Sequence, residues 1–182
     1  MQPPATFTAA RQAAIVATLP PNARQLVQVG AGDGALARSY RDSYPASALV
    51  VLEGDPAAAQ RAQAFAERVV QVQLDSAGAS LFTHLQWADC WLFDETLETL
   101  AAPARVLAAI RGAMQYDACV LACVSNPDAG TPQHGLDAPA LQTLFSDAGF
   151  RIASAISLSP GAPQAGQPAP RPTHFLIKAM PA

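Results

Sequence analysis

The sequence predicts an α/β fold in which helices cover both faces of a mostly parallel sheet. Short, continuously apolar segments alternate with stretches of helical periodicity, which is typical of parallel strands that are buried on both sides. Of the 182 residues, 51% are hydrophobic and only 14% are charged, as such doubly covered strands require. The last two apolar segments have no helical pattern between them, so we expect these two strands to pair antiparallel.

Seven strands can be placed in chain order from their apolar runs. They are expected at residues 25–29, 48–52, 69–74, 90–93, 118–124, 151–159 and 173–179. Helical patterns lie before and between them, at residues 7–19, 35–43, 56–68, 103–114 and 138–148. The first helix belongs to an N-terminal segment, 1–22, whose two closing prolines end the helix. We expect all of these elements to form one domain, residues 1–182.

Capping residues mark two helix starts and one helix end. Asp55 followed by Pro56 is a strong start, because the carboxylate accepts from free backbone N–H groups and proline suits the first turn. Asp137 has the same position before the last helix, and Gly149 fits the end of that helix. Residues 160–172 are rich in Pro, Gly and Gln, which predicts a long loop between the last two strands.

Composition and charge exclude several classes of function. A net charge of −3 gives no basic face for a nucleic-acid backbone, and no apolar run reaches the roughly 18 residues that a membrane span needs. The N-terminus has neither the basic region nor the apolar core of a signal peptide, so a cytoplasmic location is expected. We therefore expect neither nucleic acid nor a membrane among the partners.

The cysteines, histidines and tryptophans do not indicate a metal or nucleic-acid site. Three cysteines at no metal-ligand spacing, Cys90, Cys119 and Cys123, fit a reducing compartment, and the last two should be buried in their apolar run. The histidines are scattered along the chain, so no zinc or iron site is expected. Trp87 and Trp91 are interpreted as core or cleft wall, because no basic residues interleave with them.

The most informative segment is a glycine cluster at the end of the first strand. Gly30, Gly32 and Gly34 follow the apolar run 25–29, and a helical pattern begins directly after them. Glycines there let the backbone turn tightly and approach a ligand, and the free N–H groups of a helix N-terminus favour anionic groups. The next strand ends at Glu53, at the distance where an acid binds ribose hydroxyls.

Two classes of nucleotide-containing ligand use this arrangement. Gly30, Gly32 and Ala35 satisfy the Gly-x-Gly-x-x-Gly/Ala pattern of dinucleotide-binding proteins, so a NAD-dependent oxidoreductase is one alternative. Gly30, Gly32 and Gly34 satisfy a second pattern, Gly-x-Gly-x-Gly. The glycine positions by themselves leave both alternatives open.

Through nearly its whole length the chain resembles the class I S-adenosylmethionine-dependent methyltransferases, especially their small-molecule and glycan-related members. Residues 26–34 resemble the first motif of that family, 51–56 the second, and 70–75 the strand that ends in an acid near the adenine. Further similarity lies in segments 88–93, 97–107, 120–126 and 141–150. The resemblance implies a Rossmann-like, seven-stranded mixed sheet of order 3-2-1-4-5-7-6, with strand 7 antiparallel and helices on both faces.

The resemblance also implies S-adenosylmethionine as the cofactor and places ten residues around it. Those around its methionine part are expected to be Gln28, Gly30, Ala31, Gly32, Phe93 and Asp94. Those around its ribose and adenine are expected to be Glu53, Gly54, Asp75 and Ser76. The methyl group would pass to a small-molecule or glycan-type acceptor, which the protein aligns while it excludes water. No catalytic residue is assigned.

Three positions depart from the pattern of that family. Its first motif normally has an acid at the position of Gln28, where the acid pairs with the cationic amino group of the cofactor, and a neutral amide loses that charge-assisted bond. Thr99 stands where many members have a histidine, and residues 115–118 replace a Pro-Gly-Gly turn. These departures favour a second alternative, a catalytically inactive binding module, and the missing substrate cover leaves room for a partner domain or a homodimer.

Candidate substrate contacts lie in two loops and after the fourth strand. Segment 125–137 contains His134, which is interpreted as an exposed loop residue because it has no identified partner. The loop 160–172 is the other candidate. Glu95 and Glu98 follow the fourth strand, where they face either the cleft or the solvent.

Overall fold

A single mixed sheet organises the chain. The computed structural model describes residues 5–127, 136–160 and 171–182. Within these residues, seven strands are hydrogen-bonded in the order β3-β2-β1-β4-β5-β7-β6. The predicted order and the antiparallel direction of the last strand in the chain are confirmed.

The bounds of the elements lie close to most of the expected ones. The strands are β1 Gln25–Val29, β2 Ala48–Glu53, β3 Arg68–Gln71, β4 Cys90–Asp94, β5 Cys119–Ser125, β6 Phe150–Leu158 and β7 His174–Pro181. The α-helices are α1 Ala5–Thr18, α2 Ala35–Ser43, α3 Pro56–Ala62, α4 Ala79–His84, α5 Pro103–Ala113 and α6 Ala138–Asp147. Two short 3-10 helices add Leu74–Ser76 and Leu97–Thr99.

Strand pairing brings the candidate residues to one edge of the sheet. Strands β1, β2, β3, β4 and β5 are parallel, so their carboxyl ends share that edge. Val29 lies opposite Leu52 on β2 and opposite Phe93 on β4. Because β7 runs antiparallel to β5, its first residue, His174, lies opposite Ser125, the last residue of β5.

Both faces of the sheet are buried, as the apolar strands predict. One core cluster contains Val27, Trp91 and Val120 and is covered by residues of α4, α5 and α6. The other contains Leu26 and Leu92 and is covered by residues of α1, α2 and α3. Alternate residues of β1, β2, β4 and β5 therefore enter opposite cores, which explains why these strands are continuously apolar. At the ends of the sheet, β3 and β6 are more exposed.

The predicted caps are confirmed. Asp55 accepts a hydrogen bond from the Ala58 N–H at 2.8 Å at the start of α3, and Asp137 accepts one from the Ala140 N–H at 2.8 Å at the start of α6. Gly149, just after α6, has a φ of +83°. That left-handed conformation ends the helix and leads directly into β6.

Three expectations about local structure are wrong. Helix α3 ends at Ala62 instead of reaching residue 68, because residues 63–65 form tighter turns that place Phe65 in the core. Strand β3 ends at Gln71 rather than residue 74, where a 3-10 helix begins. Trp87 is 61% exposed, because it lies in the turn before β4 at the opposite edge of the sheet, whereas Trp91 is buried as expected. Helix α4 was not expected.

The three cysteines are buried in the core cluster that α1, α2 and α3 cover. In the part of the chain that the structure describes, no helix is both long and apolar enough to cross a bilayer, and no three His, Cys, Asp or Glu side chains come together as a metal site. His134 and most of the loop 160–172 lie outside the described residues.

Candidate functional site

The glycine loop, residues 30–34, connects β1 to α2 in a conformation that glycine permits. Gly30 has a φ of +81° and Gly34 a φ of +75°, both in the left-handed region. A Cβ on Gly30 would lie 2.7 Å from the Thr96 methyl carbon, and a Cβ on Gly34 would lie 2.5 Å from the Phe65 ring. Space is open at Gly32, where a Cβ would meet no atom within 4 Å.

Glu53, at the end of β2, holds this loop through its carboxylate. One oxygen accepts a hydrogen bond from the Ala31 N–H at 2.7 Å, and the other accepts one from the Asp55 N–H at 2.9 Å. A carboxylate oxygen has a second lone pair for another donor. Glu53 therefore positions the glycine loop and can still accept hydrogen bonds from a ligand.

Gln28, on β1, also holds the glycine loop through its side-chain amide. Its side chain is buried, and its Nε2 donates to the carbonyl oxygens of Gly30 at 2.9 Å and Ala31 at 3.4 Å. Within the described residues its Oε1 has no hydrogen-bond partner. The amide thus does what a carboxylate at this position cannot do, because a carboxylate only accepts hydrogen bonds.

The residues expected near the adenine have local structural roles. Asp75 accepts hydrogen bonds from the N–H groups of Ala101 at 3.1 Å and Ala102 at 3.0 Å, just before α5. The hydroxyl of Ser76 donates to the carbonyl oxygen of Gln73 at 3.1 Å. Contact with an adenine remains a prediction for both residues.

Gln73 is a side chain at this edge that the sequence pattern does not single out. Its Nε2 donates to the carbonyl oxygen of Gly54 at 3.3 Å. A Cβ on Gly54 would lie 2.8 Å from this amide, so Gly54 lets Gln73 lie against the end of β2. The Gln73 side chain therefore contacts the residue that follows β2, whereas Asp75 bonds to the backbone before α5.

A charged cluster, which consists of Arg11, Asp94, Glu95 and His174, lies at the end of β4. Arg11 of α1 donates through Nη1 to Asp94 at 2.8 Å and to Glu95 at 2.6 Å. The His174 Nε2 lies 2.8 Å from the other oxygen of Glu95. Glu95 has a φ of +54°, a conformation that is uncommon outside glycine and is found at functional sites.

The pKa values of the carboxylates in this region are shifted in different directions by burial and by hydrogen bonding. Burial raises the pKa of Asp94 to about 6, although Arg11 partly opposes the shift. The hydrogen bond with His174, and then Arg11, lower the pKa of Glu95 below its ordinary value. Burial raises the pKa of Glu98, whose Oε1 accepts from the Ser125 N–H at 2.9 Å. Glu98 therefore faces β5 and not the solvent.

Phe93 and Asp94, both expected beside a cofactor, have different surroundings at the end of β4. Its side chain is fully buried in the core, so only its backbone reaches the edge of the sheet. Asp94, the next residue, points the other way and keeps 19% of its side chain exposed. Of these two residues, only Asp94 presents a side chain at the edge of the sheet, and contact of either residue with a cofactor remains a prediction.

Comparison with solved structures identifies the fold. An S-adenosylmethionine-dependent methyltransferase from Mesorhizobium loti is similar with a TM-score of 0.76 and 16% identity, over 92% of this chain and 96% of that one. The N-methyltransferase NodS from Bradyrhizobium japonicum gives a TM-score of 0.70 at 11% identity, over 98% of each chain. The chain has the methyltransferase fold.

A third methyltransferase was solved with its ligands. The Burkholderia thailandensis 1,6-didemethyltoxoflavin-N1-methyltransferase, with bound 1,6-didemethyltoxoflavin and S-adenosylhomocysteine, gives a TM-score of 0.68 at 19% identity, over 98% of this chain and 79% of that one. No protein-family model matches the sequence, and no curated protein matches it. At these identities the similarity establishes the methyltransferase fold.

Proposed function

We propose that this chain binds S-adenosylmethionine at the glycine loop and transfers the methyl group to a small-molecule acceptor. The observation that carries the proposal is the bond between Glu53 and the Ala31 N–H at 2.7 Å. It joins the ends of β1 and β2 beside the open space at Gly32. This arrangement places a carboxylate and the backbone of the glycine loop together at one edge of a parallel sheet, where nucleotides bind in α/β folds.

The residues present fit the parts of this cofactor. Glu53 has acceptor capacity for the ribose hydroxyls, since each oxygen so far accepts one hydrogen bond. Gln73 lies where an amide can contact the adenine edge, over Gly54. Gln28 would support the cofactor indirectly, because its amide holds the glycine loop while its Oε1 is closed off from the surface. The bound cofactor would supply an electrophilic methyl sulfonium, and the protein would orient the acceptor and exclude water.

The acceptor side is best assigned to the charged cluster. Asp94, Glu95 and His174 lie at the ends of β4 and β7, beside the glycine loop. The fold neighbours include an enzyme named for a small-molecule substrate, which favours an acceptor of that class. A glycan-type acceptor would suit the same edge through hydrogen bonds from its hydroxyls to Glu95 and Ser125.

Titration calorimetry tests the cofactor assignment. Purified protein is titrated with S-adenosylmethionine, S-adenosylhomocysteine and NAD. We expect heat with the two sulfur cofactors and none with NAD. Absence of binding by both sulfur cofactors at millimolar concentration would refute the proposal, and binding by NAD alone would support the oxidoreductase instead.

Two variants locate the binding site. Glu53→Ala removes the carboxylate and should abolish measurable binding. Asp55→Asn is the matched control, because it removes a charge two residues away and keeps a side chain that caps α3. Equal loss in both variants would contradict the assignment of Glu53.

The second candidate function is a binding module that does not transfer methyl groups. It is favoured by Arg11, whose guanidinium already lies between Asp94 and Glu95, and by the neutral Gln28. This candidate predicts cofactor binding without turnover. Incubation with radiolabelled S-adenosylmethionine and a panel of phenols, amines and sugars separates the two, because label in any acceptor excludes an inactive module.

A further inference from the structure

The cofactor proposed above carries a cation that needs a negatively charged partner. The α-amino group of S-adenosylmethionine is protonated at neutral pH, and an ammonium group that leaves water is stabilised by a carboxylate. Gln28, below the glycine loop, is neutral. The inference that follows rests on the proposed function and concerns which residue supplies the charge.

Three carboxylates at this edge of the sheet have both oxygens hydrogen-bonded. Asp33 and Asp55 each bond through one oxygen only, but both residues are exposed, and a pairing between solvent-exposed charges contributes little. Both oxygens of Glu53, of Asp75 and of Glu95 accept hydrogen bonds from protein N–H groups. Glu98 has one oxygen without a partner among the described residues, but that atom is closed off from the surface. An ammonium group that approached Glu53, Asp75 or Glu95 would therefore share an oxygen with a protein N–H donor, and it could not reach the oxygen of Glu98.

Asp94 differs from these carboxylates in the hydrogen bonding of its oxygens and in its accessibility. Its Oδ1 accepts from Arg11 at 2.8 Å, while no hydrogen bond to its Oδ2 is found within the described residues. The side chain is 19% exposed, so a ligand can reach it. Because Phe93 pairs with Val29, Asp94 lies beside Gly30, at the start of the glycine loop.

We propose that Asp94 binds the α-ammonium group of the cofactor and supplies, from β4, the negative charge that Gln28 on β1 does not have. Gln28 supports the loop, because its amide donates to the carbonyl oxygens of Gly30 and Ala31. The negative charge comes from the neighbouring strand, β4.

The electrostatic state of Asp94 agrees with this assignment. Its pKa is raised to about 6 because burial outweighs the attraction of Arg11. A carboxylate in that state lacks sufficient positive charge nearby, so a second cation is favourable. The other groups that face it are Glu95 and Glu98 on its own loop, His174 on β7 and Cys123 on β5.

A double comparison of ligand and variant tests the pairing. The ligands are S-adenosylhomocysteine and its deaminated analogue, in which hydrogen replaces the α-amino group. In the wild-type protein we expect S-adenosylhomocysteine to bind about tenfold more tightly than the analogue, as a charge-assisted hydrogen bond predicts. In Asp94→Asn this ratio should fall to within about twofold, with the affinity for the analogue unchanged.

Glu95→Gln is the matched control. It removes a carboxylate that binds the same guanidinium, but whose oxygens are already taken by Arg11 and His174. The ratio of the two affinities should therefore stay close to that of the wild type. A fall as large as in Asp94→Asn would show a general effect of charge and would overturn the pairing.

Arg11→Gln provides a test of the opposite sign. Arg11 competes with the ammonium group for Asp94, so its removal should tighten S-adenosylhomocysteine by about threefold and leave the deaminated analogue unchanged. A merely structural role of Asp94 predicts no such gain. This variant also keeps the proposal testable if Asp94→Asn does not fold.

The remaining outcomes are equally decisive. If Asp94→Asn weakens both ligands equally, or neither, Asp94 does not bind the ammonium group. If wild-type protein binds the analogue and S-adenosylhomocysteine with equal affinity, the inference fails while the proposed cofactor site survives. If it binds neither ligand, the proposed function fails and the inference falls with it.

Discussion

The glycine loop and the charged cluster lie at the same edge of the sheet and are built in opposite ways. The glycine loop is held by hydrogen bonds between backbone groups and single side chains, as in the bonds of Glu53 with Ala31 and Asp55. The charged cluster is held by side chains alone, with Arg11 between Asp94 and Glu95. Backbone contacts fix a shape, whereas paired charges can exchange partners, so the first region suits a constant ligand and the second a variable one.

The largest effect is expected from substitutions that change the shape of the glycine loop. Gly34→Ala should destabilise the protein by about 2–4 kcal/mol, because the new methyl group has an unfavourable backbone conformation and overlaps the Phe65 ring. Gly32→Ala, with a positive φ but open space, should cost only about 1 kcal/mol. Urea denaturation measures both, and equal losses would show that Phe65 does not constrain the loop.

The second test uses the pH dependence of Asp94. Its pKa in the folded protein, about 6, lies above the ordinary value of 3.8, so its contribution to stability is largest at low pH and is lost as the pH rises through 6. Asn does not titrate. Between pH 4 and pH 7.5, Asp94→Asn should therefore gain stability relative to the wild type, on the order of 2 kcal/mol. A constant difference across this range would contradict the raised pKa.

The third test concerns Glu53 as a support for the loop. Glu53→Gln replaces one accepting oxygen by an NH₂ group that faces a backbone N–H, so we expect a loss of about 1–2 kcal/mol. Thermal unfolding with and without S-adenosylhomocysteine measures it. No loss in the ligand-free protein would mean that the backbone alone sets the loop, without this carboxylate.

The smallest effect is expected in the charged cluster itself. Glu95 is 43% exposed, and an exposed ion pair contributes little, so Glu95→Gln should cost less than about 1 kcal/mol at pH 7. Because the pKa of Glu95 is lowered in the folded protein, this cost should disappear on acidification below its ordinary value of 4.5. A cost as large as that of Glu53→Gln would break the contrast between the two regions.

The sequence predicts the glycine loop far better than the charged cluster. The glycine loop depends on residues that follow one another in the chain, and Glu53 is found because an acid ends the next apolar run. The order of the strands follows from the resemblance, and the apolar strands and capped helices follow from local patterns. Element ends were wrong where tertiary contacts decide them, as at Ala62, where the chain must turn to bury Phe65.

The charged cluster joins residues that are far apart in sequence. Arg11 lies 83 residues from Asp94, and His174 lies 79 residues from Glu95. A signal for His174 was nevertheless present. Since an antiparallel strand begins where its parallel neighbour ends, the first residue of β7 had to lie at the same edge as Ser125. For Arg11 no comparable rule exists, because the packing of α1 on the sheet decides its position.

Thr96 connects the glycine loop to the charged cluster. Its hydroxyl donates to the carbonyl oxygen of Val29 at 3.1 Å, and its methyl group fills the space beside Gly30. It also follows Glu95 directly. We therefore expect a ligand that shifts the glycine loop to shift also the backbone that carries the charges. If it does, the factor by which this ligand changes the affinity for an acceptor at the charged cluster equals the factor by which the acceptor changes the affinity for the ligand.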